Sequence, residues 1–470
     1  MVKRSVIFVL LLAVAFTVSG CALTAQEIFN PPNIVLILTD DMRADDLDYM
    51  PKTRSLIVDQ GLSFSDAFVT TSECCPSRAS ILRGQYAHNH DIQTNQLPNG
   101  GFKKFRDLGH EESTVATWLK EAGYKTALVG KYLNDYNDED LAYVPQGWDE
   151  WYARSATTDL YYDYNLSENG TTVSYGSRPE DYLTDVEVEK AKDIISSAAD
   201  SSEPLFMYLA PNAPHTPYDY APRHEGLIMD AEVPRNPSFN EEDVSDKPAQ
   251  TRDLAPLNAR TEAALDQAYR KRLRSLLAVD DMVEGVVNEL AATGRLENTY
   301  IFFTSDNGLL MGEHRIVGKK GVPYEESIKV PLVVRGPGIP AGRTTDRIAL
   351  NTDLAPTFAD LARATPPDFV DGRSLRPVFA SDPPSWRTAF LEEFFMGKKS
   401  YQAIRTAEGK KYVEYSRIGE QEYYDLANDP YELESQHQTV DSALLETLQS
   451  RLSALKACAG ETCRTAEDGP

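Results

Sequence analysis

Five short apolar stretches constrain the fold of this chain more than any other feature: NIVLILT (33–39), TALVG (126–130), LFMYLA (205–210), YIFFTS (300–305) and VPLVVRG (330–336). Each is continuously apolar rather than alternating, which is the pattern of a strand buried on both faces. Helical patterns lie between them. STVATWLKEAGY opens on a Ser suited to an N-cap and closes on Gly, and LRSLLAVDDMVEGVVNELAATG repeats apolar residues at helical spacing. Strands alternating with helices predict an α/β fold, a large mixed, mostly parallel sheet flanked by helices. Residues 220–260, rich in Pro, Asn, Asp and Glu, read as a long surface excursion. Beyond DGRSLRPVF (371–379) the texture changes to YQAIRTAEGKKYVEYSR and EQEYYDLANDPYELES, which read as short antiparallel strands before a terminal helix. The expected division is a main domain over 32–375, a smaller C-terminal α+β domain over 376–457 and a tail over 458–470.

The net charge of -25 argues against nucleic acid as a partner, because no basic excess is available to neutralise phosphates. The one dense basic run, Arg270-Lys271-Arg272 with Arg274, lies in a helical pattern and reads as a solvated face. At the N-terminus, Lys3-Arg4 precede an apolar run suited to a signal peptide over 1–20. Val18-Ser19-Gly20-Cys21 then resembles a bacterial lipobox, which predicts an exported chain held at the membrane by a lipid on Cys21. Of the five cysteines, Cys458 and Cys463 flank a short loop and suit a disulfide in an oxidising compartment. Cys74 and Cys75 remain. Either they are two small buried residues at a helix start, or one of them is chemistry.

In open α/β sheets ligands sit beyond the carboxyl ends of the strands. The first apolar run ends in Asp40-Asp41, the second in Lys131, and the fourth in Asp306-Asn307, while the third is followed by His215. A pair such as Asp-Asp is by itself an ordinary turn, and Asp280-Asp281 lies in a helical pattern and is not a ligand. It is the joint placement that matters. Three carboxylates and an amide oxygen suit calcium or magnesium. Arg78, Lys131 and His215 suit an oxyanion. Together they predict a site for a phosphate or sulfate ester.

The segment Cys74-Cys75-Pro76-Ser77-Arg78, followed by Leu82-Arg83-Gly84, resembles the signature of the type I sulfatases. GYKTALVGKY (123–132) is similar to the second signature of that family, and the stretch from TSDNG to VRGPG (304–338) to its metal- and sulfate-binding segment. The resemblance runs over residues 32–435. CCPSRASIL, GKYLNDY, PQGWDEWYA and YLTD are most similar to the N-acetylglucosamine-6-sulfatase branch.

The resemblance implies an alkaline-phosphatase-like fold and a sulfuric ester hydrolase. It also implies that Cys74 is converted to formylglycine by a formylglycine-generating enzyme, and that Cys75 is the variable position. One calcium ion would be held by Asp40, Asp41, Asp306 and Asn307, with the modified Cys74 facing it. Arg78, Lys131, His215 and Lys320 would hold the sulfate, Lys320 being chosen over Lys319 by its spacing to Tyr324. The implied reaction is attack on sulfur by the hydrated aldehyde, with Asp306 as base and Lys320 or His215 protonating the departing oxygen. One departure stands out: many relatives carry a His two residues after the Lys of Gly-Lys, where this chain has Leu133. The implied substrate is a sulfated sugar such as N-acetylglucosamine 6-sulfate, or an aryl sulfate. The alternatives are a phosphate or phosphonate ester hydrolase of the same superfamily and an inactive cell-surface glycan-binding homologue.

Overall fold

All five apolar runs are strands of one sheet. The computed structural model describes residues 30–157, 160–199 and 201–469, so the expected signal peptide and Cys21 lie outside the described residues. We number the strands used here β1 (Asn33–Thr39), β2 (Lys125–Gly130), β3 (Glu150–Arg154), β4 (Leu205–Ala210), β5 (Thr299–Ser305) and β6 (Leu332–Arg335). They lie in the order β6-β5-β1-β4-β2-β3, the centre of a ten-stranded sheet. Leu62–Phe64 and Arg343–Thr345 extend the sheet beyond β6, and Asn165–Glu168 and Thr171–Ser174 extend it beyond β3. β1 pairs in parallel with both β4 and β5, and β2 in parallel with β4 and β3. β6 runs antiparallel to β5, a direction that an unbroken apolar run does not encode.

Alternation along β1 sends its side chains to two cores. Ile34, Leu36 and Leu38 pack on one face with Leu82, Trp118 and Phe358, which lie on helices α1 (Cys74–Arg83), α2 (Val115–Glu121) and α5 (Leu354–Ala362). Val35 and Ile37 pack on the other with Ile194 and Val279, from α3 (Leu183–Ala199) and α4 (Ala259–Ala292).

Two helix starts differ from expectation. Helix α2 is capped at Thr114, whose N–H donates to Thr117 Oγ1 at 2.9 Å, because the Ser113 hydroxyl is taken by Trp118 Nε1 at 2.9 Å. Helix α4 begins at Ala259 rather than near Leu273, where Asn258 Oδ1 accepts from Thr261 N at 3.1 Å. The basic run therefore lies mid-helix and is a solvated face only in part, with Lys271 exposed and Arg270 half-buried. Arg272 is fully buried and Arg274 nearly so, because both turn inward to satisfy backbone carbonyls and, for Arg272, the buried Asp46. Asp280 is also structural, accepting from Thr53 N at 2.6 Å.

Strands β7 (Ala389–Phe394), β8 (Tyr401–Thr406), β9 (Lys410–Tyr415) and β10 (Glu420–Asp425) form a separate antiparallel sheet in sequential order. Helix α6 (Ser442–Lys456) covers it with Leu448, Leu452 and Leu455. This smaller sheet docks through Phe390, stacked on Phe68 at 4.9 Å, and through Glu393 N, which donates to Thr70 O at 2.9 Å. Cys458 and Cys463 are disulfide-bonded as expected. The following helix α7 (Glu461–Glu467) buries Glu467, which accepts from Tyr86 Oη at 2.7 Å. Among the described residues no helix is long and apolar enough to cross a membrane.

Candidate active site

The parallel register brings the strand ends together. Thr39 of β1 faces Ser305 of β5, and Gly130 of β2 faces Ala210 of β4. The residues that follow therefore converge, and Asp40, Asp41, Lys131, Asp306 and Asn307 are all buried there. Ladder-like bonds continue past the strands: Asp306 N donates to Thr39 O at 3.1 Å and Lys131 N to Ala210 O at 2.8 Å. Gly130 is required at its position. It has φ of 103°, and a Cβ would lie 2.2 Å from Ala210 O.

Asp41 turns out of β1 in a left-handed conformation with φ of 67°. That strained turn is held from three sides. Asp41 N donates to Asp306 Oδ1 at 3.1 Å, Met42 N donates to Ser305 Oγ at 2.9 Å, and Arg272 Nη2 donates to Asp41 O.

Helix α1 supplies the remaining elements. It starts at Cys74, with Glu73 as N-cap, and all its residues are buried. Cys74 Sγ thus sits at a helix N-terminus, 3.4 Å from Asp40 Oδ1, 3.9 Å from Asp41 Oδ1 and 2.7 Å from Lys320 Nζ. One turn on, Arg78 Nε donates to Asp306 Oδ2 at 2.7 Å and Nη1 to Lys131 O at 2.8 Å. Lys131 Nζ reaches Asp40 Oδ2 at 2.6 Å, and Lys320 Nζ bonds Asp41 Oδ1. His215 Nε2 lies 3.7 Å from Asp41 Oδ2, its Nδ1 being engaged by Thr216 O at 2.6 Å. The structure brings together the candidate site residues Asp40, Asp41, Cys74, Arg78, Lys131, His215, Asp306, Asn307 and Lys320.

The charges are strongly coupled. Burial opposes ionisation of Asp40, yet Lys131, with His215, Arg78 and Lys320, holds its carboxyl well below the usual range. Against burial, Lys320 and His215 also hold Asp41 low. Asp306 moves the other way, since burial and the charge on Asp40 together outweigh Arg78. Burial and Asp40 push the Cys74 thiol well up, so an unmodified thiol here is a poor nucleophile.

Ligand atoms of Asp40, Asp41, Cys74 and Asp306 lie within 4.8 Å of one another. Asn307 donates through Nδ2 to Asp41 Oδ1 at 2.6 Å, while its Oδ1 is buried without a partner among the described residues. Carboxylates, an amide oxygen and an unpartnered acceptor fit a hard divalent cation such as calcium. Arg78 Nη2 is likewise buried without a hydrogen-bond partner and fits an oxyanion.

Sequence reasoning missed the residues that support these groups. Arg272 was visible only as part of a basic run, and its burial depends on where α4 starts. Arg154 ends β3, a strand without a continuous apolar signal, and its Nη2 donates to Asn212 Oδ1 at 2.7 Å. Leu133 is buried, with Asn134 beside it. His88, His90 and His314 are tied to Glu393, Ser80 and Glu241 respectively.

Comparison with known proteins narrows what this buried, charge-paired cluster at the strand ends can do. The sulfatase family model matches residues 32–364, and a model for the C-terminal part of N-sulphoglucosamine sulphohydrolase matches residues 312–458. The chain belongs to the sulfatase family and is a sulfuric ester hydrolase. It is 36% identical to N-acetylglucosamine-6-sulfatase of Homo sapiens, over 92% of this chain and 86% of that one. It is 35% identical to an extracellular sulfatase SULF-1 homologue of Drosophila melanogaster, over 82% of this chain and 35% of the relative. Among solved structures, a protein of 25% identity in complex with its substrate D-glucosamine-2-N,6-O-disulfate superposes with a TM-score of 0.78, covering 93% of this chain and 99% of the other.

Proposed function

We propose that this protein is an exported sulfatase that removes a 6-O-sulfate from an N-acetylglucosamine-type sugar, using a formylglycine made from Cys74. One observation carries the reading. The Cys74 side chain stands at a helix N-terminus between a carboxylate group (Asp40, Asp41, Asp306) and a cationic group (Arg78, Lys131, Lys320), within 2.7 Å of Lys320 Nζ and 3.4 Å of Asp40. The similarity to N-acetylglucosamine-6-sulfatase supports the sugar, and the similarity to an extracellular sulfatase supports export.

Asp40, Asp41, Asp306 and Asn307 would hold calcium, which when bound lowers the pKa of a hydroxyl next to it and offsets negative charge on the sulfate. A formyl side chain at position 74 supplies a hydrated nucleophile that can release sulfate again, which a plain thiol cannot do. Arg78, Lys131 and Lys320 donate to the sulfate oxygens, and Arg78 is oriented for this by its bonds to Asp306 and Lys131 O. Lys320 and His215 are partly exposed members of the cluster, and either would supply the proton to the departing ester oxygen. With Leu133 in place of a second imidazole, His215 is the one histidine of the described residues that reaches this cluster. In this reading residues 32–375 carry the chemistry, residues 376–457 help close the pocket and Cys21 carries the lipid anchor.

The test is mass spectrometry of the tryptic peptide ending at Arg78, from protein made alongside a formylglycine-generating enzyme, paired with sulfate release from N-acetylglucosamine 6-sulfate. The expected result is loss of sulfur and gain of a carbonyl oxygen at Cys74, with sulfate esters cleaved faster than phosphate or phosphonate esters. Sulfate release by protein whose Cys74 is unmodified would overturn the nucleophile assignment, and preference for phosphonate esters would overturn the substrate class.

A further inference from the structure

Away from the strand-end residues, a ring nitrogen of His314 and one carboxylate oxygen each of Glu326 and Glu432 lie within 4.8 Å of one another. His314 is fully buried and firmly placed: Nδ1 bonds Glu241 Oε2 at 2.6 Å, the backbone N donates to Ser238 O at 2.7 Å, and the ring packs on Tyr324 with centroids 4.0 Å apart. With Nδ1 engaged, Nε2 is the nitrogen left over, and it is buried without a hydrogen-bond partner among the described residues. Glu326 is left over in the same way. Ser238 Oγ donates to its Oε1 at 3.3 Å, while its Oε2 is buried without a hydrogen-bond partner among the described residues. The other carboxylates nearby have cations of their own: Glu241 has Lys247 at 3.3 Å, Glu313 has Arg43 at 2.8 Å and Glu432 has Lys411 at 2.8 Å. Glu326 forms no ion pair among the described residues.

An ionised carboxylate can only accept, so Nδ1 carries the proton toward Glu241 and the neutral imidazole presents a lone pair at Nε2. This is how metal-ligating histidines are held, with a carboxylate behind the ring fixing its tautomer and orientation. A lone pair within reach of carboxylate oxygens, with no donor left between them, calls for a cation. We infer that His314, Glu326 and Glu432 form a second cation site, separate from Asp40, Asp41, Asp306 and Asn307, that takes a divalent transition metal such as zinc. One imidazole beside two carboxylates suits zinc better than calcium, which takes oxygen ligands throughout. Glu432 has capacity for this: Oε1 accepts from Lys411 Nζ at 2.8 Å and Oε2 from Glu325 N at 2.8 Å, which leaves each oxygen a lone pair. His314 and Glu432 both sit in left-handed backbone, with φ of 50° and 55°, a conformation kept where the surroundings impose it. The position in the chain gives the site a task. His314 and Glu326 are the two ends of the segment that carries Lys320, whereas Glu432 belongs to the C-terminal part of the chain. A cation shared by the three closes the base of that segment and gives Lys320, which bonds Asp41 and Cys74, a fixed support. The inference is independent of the chemistry assigned to Cys74.

The experiment takes the full chain, saturated with calcium and stripped of transition metals, and titrates it with zinc by calorimetry and with cobalt(II) by visible absorption. The expected result is one zinc per chain beyond the calcium, bound as tightly by Asp40→Asn as by the native protein. Glu326→Gln keeps the shape and the Ser238 bond but removes the charge, and should weaken zinc at least about a hundredfold; Glu241→Gln leaves all three ligands in place and should weaken it about tenfold. Cobalt absorption should appear in the native protein and in Asp40→Asn and be lost in Glu326→Gln. A readout that needs no variant is amide exchange in the native protein, which zinc should slow over residues 312–328 and around Glu432. Zinc binding that is lost in Asp40→Asn and kept in Glu326→Gln would assign the metal to the strand ends and overturn the proposal. So would the absence of zinc binding, or exchange over 312–328 that zinc leaves unchanged.

Discussion

Lys320 and Glu325 stand close together in the chain but belong to two different kinds of buried charge. Lys320 points into the strand-end site, where its neighbours are Asp41 and Cys74. Glu325 belongs to a layer under the C-terminal sheet, where Lys411 donates to Glu325 at 3.0 Å, Glu432 at 2.8 Å and Pro323 O at 2.8 Å. Around Lys411 and Glu422 donors and acceptors close on each other, while the Glu392 carboxyl beside them stays without a hydrogen-bond partner among the described residues. All three protons of Lys411 are used, and Glu422 accepts from the hydroxyls of Tyr324, Tyr415 and Tyr424 at 3.0, 2.7 and 2.6 Å. At the strand ends the network stops short: Arg78 Nη2, 4.0 Å from Asp40 Oδ2, and Asn307 Oδ1 are buried with no hydrogen-bond partner among the described residues. A closed network holds structure, and one that leaves aimed polar atoms over is built to receive a ligand.

The largest effect should come from the open end. Adding a chelator is expected to lower sulfate release by at least about a thousandfold, with calcium restoring it. Calcium should also raise the Tm of the native protein but not of Asp40→Asn, since a cation stabilises only the fold that binds it. Full activity in chelator, or an equal Tm shift in both proteins, would break the contrast at this end.

A smaller effect, on stability rather than rate, is expected from the closed end. Lys411→Met leaves the buried Glu432 without its cation, while Glu325 keeps Arg405, and should cost about 3–5 kcal/mol in urea unfolding. The rate per folded molecule should change little, because Lys411 touches none of the strand-end residues. If Lys411→Met abolished activity at full stability, the two networks would have to be treated as one.

The two regions also differ in how far the sequence reveals them. β1 and β5 are continuous apolar runs, so their ends, and hence Asp40, Asp41, Asp306 and Asn307, can be placed from the apolar pattern alone. Lys320 could be placed only through the resemblance, because it follows the short strand Val317–Lys319, whose residues are all exposed and carry no pattern. Arg272 shows the limit more sharply. Its neighbours in sequence are charged, and only the packing of α4 against Asp46 and the backbone of Asp41 makes it a buried support. The closed layer is less legible still. Glu325, Glu392, Glu422, Glu432 and Lys411 look like surface residues in sequence, and their burial depends on how the small sheet docks, a long-range fact that local periodicity does not carry.

The smallest effect separates two ways of burying a carboxylate within that closed layer. Burial pushes the Glu392 carboxyl up from 4.5 to about 8, against the pull of Lys411, and neither of its oxygens has a hydrogen-bond partner among the described residues. A raised folded-state value means that the protonated form stabilises the fold. That contribution is complete below about pH 4.5 and is lost as pH rises through about 8. Glu392→Gln keeps a neutral polar group of the same shape. It should therefore match the native protein in urea unfolding at pH 5 and exceed it at pH 9, by on the order of 2 kcal/mol. Parallel stability profiles for the two proteins would mean that Glu392 is ionised and paired with Lys411. The layer would then hold a further ionised carboxylate, and the distinction between a closed structural network and an open ligand site would fail at Glu392.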